Sequence, residues 1–167
     1  MKKLKIFFII VLIANSFWSC EKDDICEAGT PTTPNLIIEF YDNLNAGTKK
    51  DVTNLSVIAD GNTNILKFNA VSKIQIPLKT NTDLSIFKFT LNATEPITSL
   101  TNEDQLNINY TRENVYISRA CGFKTVFKLN ESGGIVQATD PNKWIKEIVI
   151  QKYNILNENE IHVKIFF

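Results

Sequence analysis

Polar and apolar residues alternate with a period of two along most of this chain, and that alternation predicts its elements. Leu36 to Tyr41 (LIIEFY) predicts a first strand with Leu36, Ile38 and Phe40 on one face. Asp42 to Asp51, with Asn45-Ala46-Gly47 and two lysines, predicts a loop. Leu55, Val57 and Ala59 alternate, Asp60-Gly61-Asn62 marks a tight turn, and Ile65 to Ala70 returns, which together predict a hairpin. In Lys73 to Lys79 (KIQIPLK), Ile74, Ile76 and Leu78 point one way and Lys73, Gln75 and Lys79 the other. Pro77 has no N–H, so this strand belongs at a sheet edge or has that position facing solvent.

Ser85 to Leu91 predicts a strand with Phe87, Phe89 and Leu91 inward. Thr101 to Asp104 reads as a polar connector, after which Leu106, Ile108 and Tyr110 alternate with Asn107, Asn109 and Thr111. Val115 to Leu129 is long enough for two strands, or for one bent at Gly122. Glu131-Ser132-Gly133-Gly134 predicts a turn. Asp140-Pro141-Asn142 offers a helix cap, which leaves a helix over 141–149 open. The β-branched run Ile148-Val149-Ile150 and the returning Ile161 to Ile165 instead favour a closing hairpin. Eight to ten short strands, separated by turn residues and without a sustained helical period, predict an all-β protein, an antiparallel β-sandwich in preference to a small barrel.

The N-terminus breaks this pattern. Lys2, Lys3 and Lys5 precede the unbroken apolar run Ile6 to Ala14, and small Ser19 precedes Cys20, the three parts of a secretory signal. The apolar run falls well short of the roughly 20 residues of a membrane-spanning helix. Phe17-Trp18-Ser19-Cys20 resembles a bacterial lipobox, with Phe17 where leucine is usual. That resemblance implies a covalent lipid on Cys20, whose two or more acyl chains hold a protein stably where one holds it marginally. Glu21-Lys22-Asp23-Asp24 is similar to the export signals that send Bacteroidota lipoproteins to the outer face of the outer membrane. The expected organisation is a signal peptide at 1–19, a lipidated tether at 20–34 rich in Gly, Thr and Pro, and a β-sandwich domain at 35–167.

Composition fits that address. Residues 1–19 carry three of the 18 basic residues and none of the 18 acidic ones, so the remainder has a net charge of −3. There is no basic patch to suggest nucleic acid. Of three cysteines, lipidation of Cys20 leaves Cys26 and Cys121 as a pair in an oxidising compartment, with two free thiols or a metal pair as the alternatives. Their bridge would clamp the tether onto the domain.

Candidate chemistry is sparse. His162 is the sole histidine, which leaves no multi-histidine metal site, and its place between Ile161 and Val163 predicts a solvent-facing strand position. Asp60, Asn62 and Asn64 alternate oxygen ligands, but the Gly and Glu positions of a calcium loop are missing and a hairpin turn is preferred. Arg119 and Lys124 flank Cys121 and are candidates for a partner contact, against the plainer reading of solvated charges beside a bridge. Tyr110, Tyr116, Trp144 and Tyr153 could form a carbohydrate platform, although aromatics at strand spacing more often fill a core.

Cys26 with Pro34 to Asp42 (PNLIIEFYD), Val115 to Lys124 (VYISRACGFK) and the ending Glu160 to Phe167 (EIHVKIFF) resemble a family of uncharacterised flavobacterial lipoproteins. That resemblance implies a lipoprotein and no chemistry. Two functions follow as expectations. The preferred one is a non-enzymatic binding module of the outer envelope, contacting an envelope protein or a glycan, with no metal and no cofactor beyond the lipid. The alternative is a carboxylate-based hydrolase, which two facing acids with raised pKa would favour.

Overall fold

The computed structural model describes residues 25–93 and 101–167. The export-type segment, Cys20 and the charged run at 21–24 lie outside the described residues. Among the described residues eleven strands follow one another: β1 (Leu36–Tyr41), β2 (Leu55–Ala59), β3 (Ile65–Phe68), β4 (Lys73–Ile76), β5 (Leu84–Leu91), β6 (Asn102–Ser118), β7 (Gly122–Leu129), β8 (Ile135–Gln137), β9 (Glu147–Ile150), β10 (Asn154–Ile155) and β11 (Val163–Phe166). Among the described residues there is no helix, so the cap signal at Asp140 serves a turn: its carboxylate accepts the Asn142 amide at 2.7 Å.

The chain divides into two units. Of the described residues, the small one joins 25–30 with Tyr116–Phe123, and the large one comprises the described parts of Pro31–Val115 and Lys124–Phe167. The large unit is an all-β sandwich. One sheet has the order β4-β1-β11-β9, and the other β10-β7-β6-β5-β2-β3 with β8 added to β6. Pairing is antiparallel except that β1 and β11 run parallel, with Ile38 opposite Val163 and Tyr41 opposite Phe166. The alternation sorts side chains as expected. Leu36, Ile38 and Phe40 of one sheet and Val57, Phe87, Phe89, Leu106, Ile108 and Tyr110 of the other are buried in a common core. Phe40, Trp144 and Phe167 meet there at ring-centroid distances of 5.5–6.4 Å, each such pair adding roughly 0.5–1.5 kcal/mol beyond its buried area.

β2 and β3 form the expected hairpin, with Gly61 at φ 76° in its turn. β4 is the edge of its sheet, which is where Pro77 can follow it without leaving a ladder bond unmade. β9 and β11 close as the expected antiparallel pair. Two readings change. Residues 102–104 are not a connector but the start of β6, because their backbone pairs with Phe89, Thr90 and Leu91 of β5. β6 itself is long, 17 residues, since one run serves β5, β7 and β8 in turn.

The turn at 131–134 depends on a glycine. A Cβ at Gly134 would lie 2.5 Å from the Asn130 carbonyl oxygen and 3.2 Å from Ile150 Cδ1. Gly134→Ala is therefore expected to lower stability by roughly 1–3 kcal/mol through overpacking. Urea unfolding of the variant measures it, and an unchanged midpoint would reject the close approach.

Candidate functional site

The small unit is built on the turn between β6 and β7. Gly122 stands at φ 68°, a left-handed conformation that costs glycine least, and this lets residues 119–121 reverse the chain. The Ser118 hydroxyl accepts the Cys121 amide at 3.1 Å. Across from this turn, Gly29 at φ 102° lets Thr30 fold back, its amide and hydroxyl both donating to the Glu27 carbonyl. Cys26 and Cys121 are joined by a disulfide, with Cα atoms 4.9 Å apart, so the expected pairing is present. The Thr30 hydroxyl lies 3.6 Å from the Cys121 sulfur.

An open hollow of about 500 Å³ lies beside the bridge, lined by Ile25, Glu27, Thr30, Tyr116 and Arg119 among others. Tyr116 and Phe123 meet edge to face at 5.3 Å, and both rings face solvent, as does Ile25. Arg119 is exposed on the turn of this unit, whereas Lys124 is half-buried at the start of the β7 segment of the large unit. The two cations thus belong to different units. The four aromatics divide as well: Tyr110 and Trp144 are core, while Tyr116 and Tyr153 are exposed.

The large unit holds the buried polar groups that sequence reading missed. His162 is not solvent-facing; it is 1 % exposed. Its Nδ1 accepts the Ile37 amide at 3.0 Å, and its own amide donates to the Ile37 carbonyl. That leaves Nε2 as the protonated nitrogen, facing the Asn157 backbone. Burial holds its pKa below the ordinary 6.5, against the opposing pull of Glu160, the Asn157 bond and Glu158. An imidazole so committed is a structural group.

Among the described residues Glu39 and Asp104 are the buried acids. Burial pushes Glu39 up, but Lys49 Nζ at 2.6 Å, the Tyr41 hydroxyl at 2.6 Å and Lys164 more than offset it, and the carboxyl ends below its ordinary value. Asp104 is raised by burial, while the Ile145 amide at 2.7 Å and the Trp144 amide pull it back only in part. Its other oxygen has no hydrogen-bond partner among the described residues. Asp104 is held by the Ile145 amide and lines neither of two hollows of this unit. One of those, about 390 Å³, is lined chiefly by Leu55, Ile65, Phe68 and Ala93 with Lys67; another, about 340 Å³, by Arg112, Glu113 and Lys128 with apolar neighbours. Among the described residues no three His, Cys, Asp or Glu side chains gather as a metal site requires. Asp60 and Asn62 belong to the β2–β3 turn, where the Asn62 carboxamide accepts the Asn64 amide at 3.0 Å.

Comparison with known proteins adds one match. A family model described as "Family of unknown function (DUF6452)" matches residues 54–167, from β2 to the last residue and without β1 or Cys26. No curated protein and no solved structure matches this chain.

Proposed function

We propose, on the premise that this chain belongs to the DUF6452 family of unknown function, that it is a lipid-anchored, non-enzymatic interaction module of the bacterial outer envelope. Within that reading Cys20 carries the lipid, the anchor lies in the outer membrane of a Bacteroidota-type cell, and the sandwich presents a surface to an envelope protein or a glycan. The single observation that supports it is the Cys26–Cys121 bond. It suits an oxidising compartment, and it leaves Cys20, directly after an export-type segment, as the third cysteine. His162 and Glu39 are buried and committed to Ile37, Lys49 and Tyr41 inside the fold, which supports binding over catalysis as the role of the surface.

Cys20→Ala is expected to abolish metabolic lipid labelling and to release the protein to the soluble fraction. Unchanged membrane association would overturn the anchor. Affinity capture from detergent-solubilised envelope is expected to recover a partner at stoichiometric level, and recovery of none would count against the interaction role.

A further inference from the structure

We propose that the apolar tip made by Ile25, Tyr116 and Phe123 seats on the phospholipid headgroup layer of the membrane that holds the anchor. This rests on the lipid anchor proposed above.

The three side chains are 78 %, 57 % and 66 % exposed, although large apolar groups normally find cover. They form one patch. Ile25 and Tyr116 line the same hollow, and the Tyr116 and Phe123 rings are in contact. Their types suit an interface, where aromatic rings bury an apolar body at headgroup depth and tyrosine keeps its hydroxyl wet. Glu27 and Arg119 supply one charge of each sign beside them, so the attraction is apolar and does not select an anionic lipid.

Chain length fixes the occupant. Cys20 and Cys26 are six residue steps apart, and a fully extended chain spans at most about 3.6 Å per step, so the bridge cannot lie more than about 22 Å from the lipidated residue. The disulfide extends that limit from Cys26 to the β6–β7 turn. The patch is therefore held at the bilayer surface at an effective concentration on the order of millimolar, where a weak affinity suffices. A soluble partner would meet the same patch with no such advantage.

The test uses the full lipidated chain in phosphatidylcholine vesicles whose acyl chains are brominated close to the headgroup. Phe123→Trp places an indole at the tip, and Tyr116→Trp does so independently. Trp144 is buried and serves as the internal reference, while Trp18 precedes the processed Cys20. Mass analysis of the N-terminal peptide reports lipidation separately. The expected result is loss of roughly half or more of the introduced indole's emission with Trp144 little changed, as headgroup-depth seating requires. Lipid present on Cys20 with both introduced indoles insensitive to bromine would overturn the seating and leave the anchor standing. Absence of lipid on Cys20 would overturn both.

Discussion

Replacing Cys26 and Cys121 together by serine is expected to lower unfolding stability by about 2–5 kcal/mol, a large share of what a single domain possesses. The bond spans 95 residues. In the loop-entropy account a closed loop of that length restricts the unfolded chain by about 4–5 kcal/mol. Part of this returns in the variant, because the short stretch 25–30 is then free to leave the β6–β7 turn without the sandwich unfolding. Two measurements separate the contributions. Urea unfolding of the double variant against the oxidised protein reads the global loss, and an unchanged midpoint would defeat the loop argument. Limited proteolysis reads the local one, with cleavage expected within 25–30 in the variant before any cut in the sandwich. Cys121→Ser alone leaves Cys26 as an exposed thiol and is expected to produce disulfide-linked dimers in air.

Stability is expected to fall as the solution is acidified below about pH 6.5, and His162 is the reason. Its native pKa lies below the ordinary 6.5 because the ring is buried. An unfolded chain takes up a proton near that value while the native one does not, so the contribution is intact above pH 6.5 and is lost as pH falls from there toward the native value. One proton sets a slope of at most about 1.4 kcal/mol per pH unit over that window. Asp104 acts with the opposite sign. Its raised carboxyl keeps a proton longer in the native state, so it costs stability as pH rises above its ordinary 3.8. Glu39, lowered, protects the fold until pH falls below its ordinary 4.5.

A variant isolates the histidine. His162→Leu strands the buried Ile37 amide and is expected to cost about 1–3 kcal/mol at pH 8. Its stability should then be flatter than wild type between pH 6.5 and 5. Equal slopes for the two proteins, measured by urea unfolding at each pH, would reject the assignment.

How far a residue's surroundings are local decides how much of them is legible in the sequence. The strands were legible because a pleated chain sends neighbouring residues to opposite faces, which leaves the pattern of Ile74, Ile76 and Leu78 in one short stretch. The β2–β3 hairpin was legible because Asp60-Gly61 carries its own turn geometry. The missing N–H at Pro77 left two choices for β4, a sheet edge or a solvent-facing position, and the sheet order settled on the edge. The Cys26–Cys121 pair came from counting, once Cys20 was set apart. The candidate site came through only in part: the bridge was anticipated, but Ile25 and Phe123 were not singled out, and the exposure that matters in them is no property of sequence.

The amino-acid order thus pointed to most of the strands and turns and favoured the cysteine pair, because each is written in adjacent residues or in a count. Only the tertiary structure decided that β11 lies parallel to β1, that both faces of β1 are covered, and that His162, Glu39 and Asp104 are buried with their partners. Those outcomes turn on which distant segment lies against each residue. His162 meets Ile37 across 125 positions, and no local period carries information over that distance.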